Sequence, residues 1–158
     1  MSASRCGTEV VSDDVVLVDR NVDLEFPDWE HHIVFPSLES SGPIAFQPES
    51  LEVWLHENQK SGRPMFADDL LQYLEQNNMR ERCLGLCEAR AIQKKGTEFF
   101  KKHFGVGIVL CFKMVIARSD GLRFVPFLTQ AIGCDEVALG WFMIDCRRNI
   151  DAPVYLFP

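Results

Sequence analysis

The sequence predicts an α+β fold, in which two short helices and one long helix pack on a three- to four-stranded antiparallel sheet. Three observations indicate it. Apolar residues recur at helical spacing in the middle of the chain, near-continuous apolar runs fill its last third, and an Asp-Gly pair separates two of those runs. The chain has 158 residues, of which 47% are hydrophobic, so it can bury the core of one ordinary domain.

The N-terminal third carries the whole net charge of the chain. Residues 1–47 contain nine acidic and two basic residues, which gives −7, and the remaining fourteen acidic and fourteen basic residues cancel. We expect the small, polar residues 1–12 to be disordered. We expect residues 13–47 to form an acidic N-terminal segment packed on the core, and residues 48–158 to form the α+β core, within a single domain overall.

The acidic segment has the pattern of one or two short strands. Val15–Val18 is an apolar run bounded by aspartates, and His32–Phe35 is a second run that Pro36 ends. Residues 36–48 are rich in proline and serine and are predicted to form a loop.

The middle of the chain predicts three helices. Pro48 suits a first helical turn, and this helix ends near residue 61; a second helix follows Pro64 and ends at the Asn77-Asn78 pair. The third and longest helix is predicted over about 79–104. Its small residues share one face, and between residues 80 and 102 it carries seven bases and three acids.

The last third predicts the antiparallel sheet. Gly107–Ala117 is a near-continuous apolar run, and Asp120-Gly121 is a hairpin signal after which Leu122–Phe127 returns. Val137–Ile144 is predicted to be a further strand. Val154–Phe157, which is flanked by prolines, suits an edge strand.

Composition disfavours membrane and secreted proteins. No run of eighteen apolar residues occurs, and the first thirty residues contain acids and lack an apolar signal core, so we expect a cytoplasmic protein. The cysteines have irregular spacing in a chain with an ample core, which favours reduced thiols over three disulfides. They are Cys6, Cys83, Cys87, Cys111, Cys134 and Cys146.

No catalytic, metal or cofactor motif is present. The candidates for a dispersed catalytic site are His32, His103 and Cys146. Two arginines follow Cys146, and nearby positive charge favours its thiolate form. No metal site is predicted, because His31 and His32 would point to opposite faces of a strand and the Cys83–Cys87 pair lacks a second cysteine pair. No cofactor is predicted either.

The charge segregation favours a small cytosolic protein-interaction or regulatory protein of the inhibitor, immunity or accessory type, without catalytic activity. A protein partner would contact the acidic segment or the basic helix face. The candidate binding residues are Trp29, Glu30, Arg90, Lys94 and Lys101.

Two other functions and one assembly stay open. Three helices followed by a hairpin is the element order of a winged-helix DNA-binding regulator, although an acidic chain opposes nucleic-acid binding. An enzyme with a dispersed site is the second alternative. Exposed strand edges would also permit a homodimer.

Overall fold

The computed structural model describes residues 13–21, 23–34, 36–130, 133 and 135–158. The fold is α+β, as predicted. Residues 1–12, for which we predicted disorder, lie outside the described residues. So do Cys6 and Cys134, for which we predicted reduced thiols.

The elements follow one another from strand β1 to strand β9. The strands are β1 (Val16–Leu17), β2 (His31–Ile33), β3 (Ala45–Phe46), β4 (Glu52–Trp54), β5 (Val109–Leu110), β6 (Ile116–Arg118), β7 (Arg123–Gln130), β8 (Val137–Met143) and β9 (Val154–Leu156). The helices are α1 (Pro36–Glu39), α2 (Glu57–Lys60), α3 (Ala67–Gln76), α4 (Leu86–Lys95) and α5 (Thr97–Phe104), with 3₁₀ turns at Pro48–Ser50 and Arg80–Arg82. Across the described residues, no helix combines the length and the apolar character needed to cross a membrane.

The main sheet is antiparallel and has five strands, where three to four were predicted. Strand β7 is central: β8 pairs along one side of it, and β6 and β5 pair along successive parts of the other side. Strand β2 pairs with the far side of β6. Two small ribbons, β1–β3 and β4–β9, complete the strand pairing.

The core lies on both faces of the main sheet. On one face, helix α3 buries Leu70, Leu71 and Leu74 against a cluster that includes Val125 of β7. On the other face, helix α4 buries Ile92 in a cluster with other β5 and β7 side chains. These opposite faces follow from the alternation of side chains along a strand.

The first predicted helix is wrong over most of its length. Glu52–Trp54 is strand β4, which pairs with β9, and only Glu57–Lys60 is helical. Pairing with a distant strand outweighed the helical spacing of a short apolar pattern. The second predicted helix is confirmed as α3, and the strands expected at Val15–Val18 and His32–Phe35 appear as β1 and β2.

The prediction of a single long helix over 79–104 is also wrong, because non-helical residues interrupt this range at two places. A 3₁₀ turn and an extended Gly85 precede α4, and the bridge between Cys83 and Leu156 holds this stretch against the C-terminal strand. Gly96 then ends α4 with a φ of 88°, a conformation that glycine adopts without steric cost.

The run Gly107–Ala117 forms two strands instead of one. Five residues, 111–115, separate β5 from β6, and they lie opposite the part of β7 that contains Pro126. Pro126 has no N–H to donate, although its carbonyl accepts from the Cys111 amide at 2.9 Å. Buried Arg80 fixes the bulge by donating to the carbonyls of Phe112 and Lys113, at 3.0 and 3.1 Å. The bulge directs the Lys113 side chain into the interior.

The predicted hairpin between β6 and β7 is confirmed. The Arg118 amide donates to the Leu122 carbonyl at 2.8 Å, and Gly121 has a φ of 87°. The strands expected near Val137–Ile144 and Val154–Phe157 are β8 and β9, and β9 joins a separate ribbon rather than the main sheet.

Candidate functional site

The acidic segment contacts the basic helices of the same molecule. The Asp14 carboxylate lies 2.9 Å from the Lys102 ammonium, and the Lys95 ammonium donates to the Asp13 carbonyl at 3.0 Å. The predicted binding residue Arg90 lies 4.0 Å from Glu25. Part of the charge that sequence analysis assigned to a partner is therefore paired internally.

The other two predicted basic binding residues, Lys94 and Lys101, are exposed on α4 and α5. Lys101 lies 4.0 Å from Glu98, itself almost fully exposed. An ion pair of this kind contributes little to stability. These two lysines remain accessible to solvent and to other molecules.

One ion cluster lies mostly in the interior, and we call Arg20, Glu88 and Lys113 the Glu88 cluster. The Glu88 and Lys113 side chains are 0% exposed and hydrogen-bonded to each other, and Arg20 donates to the same carboxylate oxygen at 2.9 Å. The second Glu88 oxygen accepts from the Gly85 amide at 3.1 Å, which caps α4. Lys113 also donates to the Ser41 carbonyl at 2.9 Å. These hydrogen bonds connect the acidic segment to the interior of the core.

A second cluster lies where the acidic segment meets α5, and we call Asp14, Glu49 and His103 the His103 cluster. The ring Nε2 of His103 lies 3.1 Å from Asp14 Oδ1, and Nδ1 lies 3.2 Å from Glu49 Oε1. One donor atom from each of the three side chains lies within 4.8 Å of the other two. The His103 side chain is 4% exposed, and its ring centroid is 4.4 Å from that of Phe99. Packing and two carboxylates thus hold the ring in one orientation.

Lys102 modifies the electrostatics of the His103 cluster. The pKa of Asp14 lies below its usual value, first because Lys102 donates a hydrogen bond to it and second because of the contact with His103. The same hydrogen bond raises the pKa of Lys102. Asp14 is therefore an ionised carboxylate at neutral pH, and Lys102, with 62% of its side chain exposed, is its mobile counter-ion.

Two open grooves flank the His103 cluster. One, of about 300 Å³, is lined by the apolar residues Leu51 and Val53, by Tyr155, and by Glu49 and His103 among others. The other, of about 460 Å³, is lined by Asp13, Asp14, Lys95, Glu98, Phe99 and Lys102. Lys102 lines both grooves.

The other two catalytic candidates lie elsewhere. His32 is exposed on β2, opposite Ala117. Cys146 is exposed after β8, and its thiol donates to the Met143 carbonyl at 3.1 Å. Within the described part of the chain, no hydrogen bond or ring contact joins either residue to His103.

The arginines after Cys146 contact aromatic rings. The Arg147 guanidinium lies 4.4 Å from the Phe66 ring centroid, and that of Arg148 lies 5.7 Å from the centroid of Phe142. Both cations are thus held by packing. Cys83, which precedes α4, and Cys87 within it are both buried, and burial raises the pKa of Cys83 to about 12. Cys83 is therefore protonated and unreactive at neutral pH.

A group of partly buried rings packs around buried Phe124 of the main sheet, and we call it the Trp29 face. Its side chains are Phe26, Trp29, His31, Phe124 and Trp141, with ring centroids 4.9 to 5.8 Å apart between neighbours. The Arg118 guanidinium lies 5.7 Å from the Trp29 ring and 5.3 Å from the Phe124 ring. Four exposed acids are close in sequence to Phe26 and Trp29 of this face: Asp23, Glu25, Asp28 and Glu30.

The sequence pointed to Trp29, Glu30 and His103 as single residues. It did not predict the Trp29 face or the His103 cluster. Asp14, Glu49 and His103 are far apart in the chain, and no spacing rule relates them. The His103 cluster depends on the docking of the acidic segment against α5, which only the folded chain reveals. Comparison with protein-family models, with curated proteins and with solved structures found no match.

Proposed function

We propose that this protein is a protein-interaction or regulatory protein that binds a partner through the Trp29 face. The observation that carries the proposal is the combination of partly buried aromatic rings with exposed carboxylates close to them in sequence. Interfaces are enriched in tryptophan, phenylalanine and arginine, and residues of this kind supply most of the binding free energy.

The charges around the Trp29 face favour a basic partner. Residues 23–30 contain four acids and no base, and all four acids are exposed. Lysine and arginine side chains would pair with these carboxylates and also stack on Trp29 or Phe26, since aromatic faces attract cations. A partner surface of alternating apolar and basic residues satisfies both requirements.

A labelled peptide of alternating leucine and lysine tests this surface by fluorescence anisotropy. We expect the double variant Trp29→Ala/Trp141→Ala to bind the peptide at least about tenfold more weakly, because it removes two aromatic contacts without changing the net charge. Binding should also weaken with added salt. A leucine–glutamate peptide of the same pattern should not bind.

Trp54→Ala is the matched control, because Trp54 stacks on Tyr73 in a different part of the molecule. This variant should bind the leucine–lysine peptide like the unmodified protein. Equal affinity of the unmodified protein and the double variant would mean that net charge alone attracts the peptide, and the proposal would fail. Circular dichroism establishes that each variant is folded.

A homodimer formed through the outer edge of strand β8 is a second proposal, which a separate observation supports. One side of β8 pairs with β7, and no described strand pairs with its other edge. The strand itself has no charged residue, Asp135-Glu136 precedes it, and Arg147-Arg148 follows it. Antiparallel pairing with a second copy would therefore bring acids near arginines at both ends.

Light scattering tests the homodimer directly. Asp135→Lys/Glu136→Lys should dissociate a dimer of this kind, and so should Arg147→Glu/Arg148→Glu. A protein that carries all four changes should dimerise again, because the opposite charges still meet. A monomer at every accessible concentration would contradict the pairing.

The two alternative functions have less support. A winged helix needs three helices before its hairpin, whereas the first predicted helix contains strand β4 and the third is broken. A mobility-shift experiment at low salt tests DNA binding. The enzyme alternative now rests on the His103 cluster alone, since His32 and Cys146 lie apart from it.

A further inference from the structure

The His103 cluster has the donor set of a metal site. Asp14 supplies a carboxylate oxygen and His103 an imidazole nitrogen, a combination that suits zinc and similar divalent transition metals better than magnesium. We propose that Asp14 and His103 Nε2 bind a divalent cation of the zinc class and that Glu49 orients the histidine from its other nitrogen. This site is independent of the Trp29 face.

The distances in the cluster fit such an ion. A tetrahedral ion with bonds of about 2.0–2.2 Å holds neighbouring ligand atoms roughly 3.3–3.6 Å apart. Asp14 Oδ1 and His103 Nε2 are 3.1 Å apart. This separation is a few tenths of an ångström below the tetrahedral value, and the Asp14 carboxylate would turn off the Nε2 axis to admit the ion.

Glu49 has the position of the carboxylate that commonly supports a metal-binding histidine. It lies 3.2 Å from Nδ1, on the ring nitrogen opposite the Asp14 contact. When an ion binds Nε2, the remaining ring N–H lies on Nδ1, and the half-exposed Glu49 carboxylate would turn to accept it and fix the tautomer. The buried ring, packed at a tilt against Phe99, then presents Nε2 in one orientation.

Lys102 is the cation that a metal ion must displace. Its ammonium lies 2.9 Å from the Asp14 oxygen that would bind the ion, so Asp14 already binds a cation. More than half of the Lys102 side chain is exposed, which allows it to turn toward solvent. The two grooves beside the cluster leave room for water or a small ligand in the remaining coordination positions. On binding, the ion loses water and any proton on Nε2 passes to solvent.

Isothermal titration of the purified protein with Zn²⁺ alone, in a buffer without chelating thiols, tests the site. Asp14→Asn and His103→Asn should each weaken zinc binding about a hundredfold or more, because each removes a direct ligand. Glu49→Gln should weaken it about 10- to 100-fold, as changes to supporting carboxylates do. Lys102→Met should strengthen it several-fold, because the competing cation is gone. Mg²⁺ should bind much more weakly than Zn²⁺ in every case.

His32→Asn is the matched control, since His32 is an exposed histidine on β2. It should leave zinc affinity unchanged. Zinc binding that survives in His103→Asn, or that is lost in His32→Asn, would place the ion elsewhere and overturn the proposal. The absence of zinc binding up to millimolar concentration in both the unmodified protein and Lys102→Met would also overturn it. Both Glu49 and Lys102 are more than half exposed, so their variants test the site even if His103→Asn is unstable.

Discussion

The Glu88 cluster and the His103 cluster use similar chemistry in different surroundings. Each connects the acidic segment to a helix through a carboxylate and a basic side chain. In the Glu88 cluster, Glu88 and Lys113 are 0% exposed, and three donors occupy the two carboxylate oxygens. In the His103 cluster, the carboxylates lie at the surface beside two grooves, and Lys102 is mostly exposed.

The difference in burial separates a structural role from a binding role. A buried charge without a partner is very costly, so the Glu88 cluster has to keep its arrangement whenever the protein is folded. In the His103 cluster the ring is buried, but the two carboxylates and Lys102 face solvent, where exchange of one cation for another costs little. We therefore expect substitutions in the first cluster to change stability and substitutions in the second to change binding.

The largest expected effect on stability is that of Glu88→Ala. The substitution removes the carboxylate from the fully buried Lys113 ammonium, and we expect it to lower the free energy of unfolding by about 3–5 kcal/mol. Urea denaturation measures the change. Glu98→Ala is the control, because Glu98 is 95% exposed and should change stability by less than about 0.5 kcal/mol. Similar losses in both variants would remove the distinction between the clusters.

A smaller effect is expected at Gly42, which lies over the Glu88 cluster with a φ of 107°. A Cβ atom here would lie 2.9 Å from the Arg20 guanidinium nitrogen that binds Glu88. We expect Gly42→Ala to destabilise the protein by about 1–3 kcal/mol, measured by urea denaturation.

Gly62→Ala is the matched comparison for Gly42→Ala. Gly62 also has a positive φ, 72°, but no atom lies within 4 Å of an added Cβ. It should therefore show the backbone cost alone, on the order of 1 kcal/mol. An equal loss at both glycines would mean that the Glu88 cluster adjusts to the extra atom and is less rigid than proposed.

The ion pair between Arg123 and Asp145 is intermediate in burial, with 36% and 21% of the side chains exposed. Two hydrogen bonds from the guanidinium, at 2.7 and 3.1 Å, lower the pKa of Asp145 below its usual 3.8. Because the pKa is lower in the folded state, the pair stabilises the protein above about pH 4 and this contribution is lost as the pH falls through the folded pKa.

Asp145→Asn tests this third pair by thermal unfolding at a series of pH values. We expect the variant to be less stable at neutral pH, by about 1 kcal/mol, and the difference from the unmodified protein to close in acid. Asp28→Asn, at an exposed position beside the Trp29 face, should behave like the unmodified protein. A difference that persists unchanged at low pH would exclude the ion pair as its cause.

The smallest expected effect concerns thiol accessibility and leaves stability unchanged. Cys146 is exposed, whereas Cys87 is buried next to Glu88. Cys146→Ser should remove one fast-reacting thiol from a labelling experiment on the folded protein, and Cys87→Ser should remove none. Rapid labelling of Cys87 in the folded protein would show that the surroundings of the Glu88 cluster open readily.

The sequence predicted those elements of the fold that depend on neighbouring residues. The Asp120-Gly121 hairpin and helix α3 follow from turn chemistry and helical spacing within short stretches. Strand β4 was missed because its pairing partner, β9, lies about a hundred residues away. The break at Gly96 had a local signal, since glycine after two lysines is typical of a helix end. The pattern of small residues on one face outweighed that signal.

The sites were predictable only as single residues. His103 and Trp29 were selected for their chemistry, but their partners come from other parts of the chain. Lys113 was expected within a continuous apolar strand, and the bulge opposite Pro126 instead directs it to Glu88. Such contacts depend on how the acidic segment docks, which no periodicity encodes.

Zinc affinity and stability measured together in His103→Asn and Glu88→Ala test the central distinction most directly. We predict that His103→Asn loses zinc binding while it loses less stability than Glu88→Ala. Folded Glu88→Ala should bind zinc with nearly the affinity of the unmodified protein. The opposite result, in which His103→Asn keeps its zinc affinity and loses as much stability as Glu88→Ala, would show that both clusters are structural and would contradict the account.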